Sequence, residues 1–149
     1  MSLEKEVMTQ MKAAMKAKDA AALEALRAVK GAILLAKTEN NHQELTEEEE
    51  VKLVQKLVKQ RKDSAQVYRE QNREDLAIPE EEQVEVIAQF LPEQLSEAEI
   101  EAKVEKIIAD TNAEGMKDMG KVMGIASKEL AGKADGKTIS NIVKNKLSS

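Results

Sequence analysis

The chain has 149 residues and a formal net charge of −5, with 34% charged side chains, 1% aromatic side chains and no cysteine. That length suits one domain or two small helical subdomains, and the missing cysteine excludes disulfides and thiolate zinc sites and fits a reducing compartment. Tyr68 and Phe90 are the whole aromatic set, so the core has to be built from Leu, Ile, Val, Met and Ala, without the usual stacking platforms for single-stranded bases. No apolar run reaches the length of a membrane span. The segment Met1-Ser2-Leu3-Glu4-Lys5-Glu6 lacks the apolar stretch of a signal peptide. The expectation is a soluble cytoplasmic protein with no membrane partner.

Apolar residues recur with a helical period along nearly the whole chain. Leu3, Val7, Met11 and Ala14 mark a first helix ending near Lys18. Asp19 caps a second, with Leu23, Leu26, Val29 and Ile33 inward, and Asn40-Asn41-His42 makes a loop. Thr46-Glu47-Glu48-Glu49 has the form of a capping box, and its acidic first turn complements the helix dipole. It opens a long third helix with Val51, Val54, Val58, Ala65 and Tyr68 in a stripe to about Asn72. Arg61 falls on that inward stripe, where it must snorkel or pair with an acid. A salt bridge to an acid of the 80–90 helix is expected, with Arg69 and Arg73 exposed.

Ile78-Pro79 reads as the start of a short helix, because proline is tolerated at the first helical position. Val84, Ile87, Ala88 and Leu91 form its buried face, and Pro92 stops it. Ser96-Glu97-Ala98-Glu99 is a second capping box, opening a helix with Ile100, Val104, Ile107 and Ile108. Helices near 118–131 and 136–147 follow, with Val122, Met123, Ala126 and Leu130 inward, then Ile139, Ile142, Val143 and Leu147. No run alternates with period two long enough for a strand. The expected fold class is all-α, with an N-terminal helical subdomain over 1–91 and a three-helix module over 96–149.

Five of the six glycines lie between positions 115 and 136. A glycine inside a helix costs roughly 1 kcal/mol relative to alanine, so Gly120 and Gly124 imply close approach of the backbone to another helix or to a ligand. Gly132 suits the left-handed residue after a helix, and Asp135 suits a side-chain cap for the next one. Lysines are interleaved with these glycines. Residues 1–114 hold 16 basic and 25 acidic side chains, a balance of −9, whereas residues 115–149 hold seven lysines against three acids, a balance of +4. A basic end on an acidic chain is a candidate phosphate surface, formed by Lys117, Lys121, Lys128, Lys133, Lys137 and Lys144. The competing reading is a solvated lysine face.

No catalytic constellation is visible. His42 is the only histidine, set in a polar loop with no second histidine or cysteine to complete a metal site. Glu47 to Glu50 and Glu80 to Glu82 are read as helix starts. Gly115 and Gly120 have the spacing of a phosphate loop, but Lys121 is followed by Val122 and no strand precedes it. A Ser-His-Asp set and a Gly-x-Ser-x-Gly elbow are both missing. Neither a metal nor a cofactor is expected. Met8, Met11 and Met15 form one methionine stripe and Met116, Met119 and Met123 another. Such stripes are core filler more often than binding grooves; Met123 is read as core, while Met8 and Met15 stay open.

Gly120-Lys121-Val122-Met123, Gly132-Lys133-Ala134-Asp135 and Ser140-Asn141-Ile142-Val143-Lys144 with Leu147 resemble the GatB/YqeY tail motif. Lys59-Gln60-Arg61-Lys62-Asp63-Ser64, Tyr68, Arg73-Glu74-Asp75-Leu76 and Phe90-Leu91-Pro92-Glu93-Gln94-Leu95 resemble the stand-alone YqeY-like branch of that family. The resemblance spans essentially the whole chain. It implies likeness to the tail of the B subunit of tRNA-dependent amidotransferases, carbon–nitrogen ligases with glutamine as amide donor, where the tail holds the outer corner of tRNA. It further implies tRNA as a partner, with an amidotransferase or other translation proteins beside it. Nothing in the chain matches the ATP and metal cradle or the amidase subunit of those enzymes, so the implied role is accessory. The alternative is a helical protein-interaction adaptor without nucleic-acid binding.

Overall fold

The computed structural model describes residues 2–148, which form seven α-helices and no strand. The chain divides into two compact units, 1–91 and 92–149.

In the first unit, helix α1 (Leu3–Ala17) starts at Ser2, whose hydroxyl accepts from the Lys5 N–H, and ends at Lys18 in the left-handed conformation, φ 56°. The Asp19 carboxylate accepts from the Ala22 N–H at 3.1 Å and starts α2 (Ala20–Glu39) at once. Two short-range caps therefore turn the chain into an αα-hairpin. Leu3, Val7 and Ala14 of α1 pack with Ala25, Leu26, Val29 and Ile33 of α2, Val54 and Val58 of α3 (Glu47–Glu70) and Ile87 of α4 (Glu74–Ala88). Lys37 binds Glu4 and Glu44, and both hydrogen bonds raise its pKa. The capping box at α3 is half made. The Thr46 hydroxyl accepts from the Glu49 N–H at 3.1 Å, but the Glu49 carboxylate takes the Thr46 hydroxyl instead of the backbone N–H.

Two expectations for this unit are corrected. Helix α4 begins at Glu74, four residues before the anticipated start at Ile78-Pro79, and Pro79 lies inside it. Asn72 at φ 59° reverses the chain, and the Arg73 N–H closes the turn on the Tyr68 carbonyl at 2.7 Å. Glu74 and Asp75 then supply the acidic first turn, and Ala77 is fully buried. These local terms outweigh the carbonyl of Asp75 that Pro79 leaves without its helical donor. The second correction is Arg61. Its Nε donates to Oε1 of Gln83 on α4 at 2.8 Å and its Nη1 to the Leu57 carbonyl at 3.1 Å. The partner helix is the anticipated one, but the acceptor is a neutral amide. The nearby acid Glu81 is instead held by Arg69, Nε to Oε2 at 2.8 Å. Arg69 and Arg73 are exposed and also paired, with Glu81 and Asp75, and those hydrogen bonds lower both carboxyl pKa values.

The second unit contains α5 (Glu97–Thr111), a 3₁₀ turn (Met116–Asp118), α6 (Met119–Glu129) and α7 (Gly136–Ser148). The capping box at α5 is complete: the Ser96 hydroxyl accepts from the Glu99 N–H at 3.2 Å, and Glu99 Oε1 accepts from the Ser96 N–H at 3.1 Å. That backbone N–H is the main reason the Glu99 carboxyl lies below its ordinary pKa. A lowered folded pKa means stability that is present above the ordinary glutamate value of about 4.3 and lost as pH falls through the folded value. Glu99→Gln, which cannot titrate, should therefore show a flatter loss of stability below about pH 4.3. An acid limb identical to the parent's would refute a charged cap. Ser96→Ala should cost about 1 kcal/mol in thermal melting. Ile100, Val104 and Ile107 pack with Val122, Ala126, Leu130 and Ala134 and with Ile139, Ile142, Val143 and Leu147, while Met119 and Met123 fill the margin. Lys146 Nζ donates to Glu105 Oε1 at 2.7 Å and ties α7 to α5. No helix among the described residues is long and apolar enough to cross a membrane.

Candidate functional site

Val122 and Ala126 are fully buried and set the inner side of α6. Lys121 and Lys128 lie on the opposite, exposed side, two turns and about 10.5 Å apart along the axis. On α7 the inner side is Ile139, Ile142, Val143 and Leu147, and the exposed Lys137 and Lys144 repeat the same two-turn spacing outside. Lys133 stands exposed in the loop between these helices. Lys117, in the 3₁₀ turn, is 3.9 Å from Glu114, and at exposures of 73% and 82% this pair contributes little. Lys121, Lys128, Lys133, Lys137 and Lys144 make no ion pair with any described residue. Lys146 differs, being drawn onto Glu105.

Five of the ten acids of this unit lie on one other helix. Glu97, Glu99, Glu101, Glu105 and Asp110 all belong to α5, beside only Lys103 and Lys106. The unit thus has one helix of net negative charge and two of net positive charge. Sequence order alone produces the segregation, because each helix carries its own charge sign.

The glycines behave differently from one another. A Cβ added at Gly120 or Gly124 would meet nothing within 4 Å. The anticipated close crossing of another helix is therefore corrected: the core-facing stripe of α6 is set by Val122, Ala126 and Leu130, and both glycines fall outside it. Gly124→Ala should accordingly raise stability by about 1 kcal/mol. A lower melting temperature would restore the crowded reading.

Gly132 is buried and left-handed, φ 79°. Its carbonyl accepts from Gln94 Nε2 at 2.7 Å, and the Lys133 carbonyl accepts from the Leu95 N–H at 3.0 Å. Gly132→Ala should cost about 1 kcal/mol or more, because alanine is strained at that φ; thermal melting decides. Asp135 supplies the first helical acceptor of α7 through its carbonyl, to the Ile139 N–H at 3.0 Å. Its carboxylate accepts no bond from the first turn, contrary to the expected side-chain cap.

Beyond the lysines, His42 is exposed at φ 64°, and no group of three or more His, Cys, Asp or Glu among the described residues could hold a metal ion. An open groove between α3 and α4 is lined by Lys62, Gln66, Arg69, Glu81, Val84 and Glu85. The pattern of single residues did not announce it, since it depends on how two helices are set side by side. Arg69 is already forked onto Glu81 there.

A family profile described as Yqey-like protein matches residues 4–147. No curated protein matches the chain.

Proposed function

The chain belongs to the YqeY-like family, and from that premise we propose that residues 92–149 are a tRNA-binding module gripping the phosphate backbone. The observation that carries this reading is the set of five lysines without ion pairs on the outer sides of α6 and α7 and in the loop between them. Folded RNA is recognised largely through shape, phosphate and 2′-OH, which requires no aromatic platform, and both aromatics of this chain lie in the other unit. The first turn of α7, with no side-chain cap, adds the positive end of a helix beside Lys133 and Lys137. The carboxylate of Asp135 tempers that positive field. The role is accessory and translation-associated, similar to the tail of glutamine-dependent tRNA amidotransferases.

A chain of net charge −5 attracts RNA weakly at long range. The affinity is therefore modest and fades as salt rises, since each phosphate contact releases counterions. Titration of labelled tRNA with the intact chain between 50 and 200 mM salt tests this, both limits being roughly those over which such slopes are read. Five phosphate contacts predict a log–log salt slope of about −3.5 to −4.5. Absence of binding at the lowest salt would leave the adaptor reading. That reading draws on the exposed Met8, Met15, Leu34 and Leu35 of α1 and α2.

A further inference from the structure

We infer that Gln94 is a positioning residue for this surface: together with the Leu95 backbone it holds Lys133 in the orientation from which it meets a phosphate. The inference rests on the RNA-binding reading above and deepens it.

Leu130 and Ala134 are buried and fix the two ends of the α6–α7 turn in the core, at 0% and 7% exposure. The Lys133 N–H donates to the Leu130 carbonyl at 2.9 Å and the Ala134 N–H to the same oxygen at 3.3 Å. Those bonds close the inner side of the turn but leave the Gly132 and Lys133 carbonyls outside any helical ladder. Both are taken up by the segment Pro92–Leu95. Gln94 Nε2 donates to the Gly132 carbonyl at 2.7 Å, and the Leu95 N–H donates to the Lys133 carbonyl at 3.0 Å.

Those two carbonyls belong to the peptide planes on either side of the Lys133 Cα. A peptide unit is planar, so the backbone has only two soft dihedrals per residue. With both flanking planes tied down, φ and ψ of Lys133 are set, and with them the direction of its Cα–Cβ bond. The Gln94 amide can donate two hydrogens, and it uses the second on the Pro92 carbonyl at 2.8 Å. Proline has a fixed φ, which limits the freedom the strap loses on docking. Leu95 packs against the core of the unit and anchors the far end. The strap also engages two acceptor oxygens that would repel a phosphate if they faced it. Gln94 thus acts through Lys133, without itself touching RNA.

The test is Gln94→Met, which keeps the length and charge of the side chain and removes both donors. It is made in the full-length parent and in a Lys133→Ala background, with tRNA titrated across the same salt series. In the parent, Gln94→Met should weaken binding about threefold and flatten the salt slope by about 0.7 to 0.9, the share of one phosphate contact. In the Lys133→Ala background it should change neither. Hydrogen exchange at the Leu95 amide, whose bond ends on the Lys133 carbonyl, should quicken in both. An equal loss in both backgrounds would mean that Gln94 acts on the fold at large and would overturn the proposal. Undiminished affinity in the parent background would overturn it too, whether or not exchange quickens. A parent chain that binds no tRNA defeats the RNA-binding reading itself, and is recognised before any variant is compared.

Discussion

Alanine at Lys121, Lys133 and Lys137 together should weaken tRNA binding about thirtyfold at moderate salt and leave the melting temperature unchanged. Each is exposed and makes no ion pair with a described residue, so its removal uncovers no buried charge and breaks no salt bridge of the fold. If each meets one phosphate, the log–log salt slope should shrink by about 0.7 to 0.9 per residue, or about 2 to 3 in all. Lys52→Ala with Lys56→Ala is the control. These exposed lysines of α3 lie on the acidic part of the chain, Lys52 beside Glu48 at 3.4 Å. Their loss should leave affinity nearly constant. Equal weakening in the control would show that any positive charge serves, and the proposed surface would fall.

Leu130→Ala should prevent the isolated segment 92–149 from folding. Leu130 is fully buried, within the cluster that joins α5, α6 and α7. Removing a buried leucine side chain costs about 2–5 kcal/mol. A single core in a chain this short supplies rarely more than about 3–5 kcal/mol, so the substitution consumes most or all of the margin. The parent segment should melt cooperatively, measured by circular dichroism. It should start at Pro92 rather than Ser96, because Gln94 and Leu95 hold the α6–α7 loop. A broad, non-cooperative melt of the parent segment would refute its independence. An alanine variant melting like the parent would refute the central place of Leu130.

The helices, their buried faces and most of their caps were legible in the sequence. A hydroxyl or carboxylate four residues ahead of an apolar stripe satisfies a free N–H three residues on, as Asp19 and Ser96 do. The start of α4 was not, because the proline preference for a first turn competed with the tight turn at Asn72 and the acidic pair Glu74-Asp75. The place of the α6 glycines is also legible in the helical period: relative to Val122 and Ala126, positions 120 and 124 fall on the outer side of a 3.6-residue helix.

By itself, then, the sequence determined an all-α chain, the separation of acidic from basic segments, and the stripes that face the cores. Each is a property of one helix at a time, governed by period and local hydrogen bonding. Tertiary structure alone decided that Gln83 and not an acid meets Arg61, that Lys146 is drawn onto Glu105 while its neighbouring lysines stay unpaired, and that Gln94 reaches the carbonyl of Gly132. Those pairings join residues 22, 41 and 38 positions apart, so they follow from the register in which packed helices and loops settle, which side-chain volumes set across the whole core.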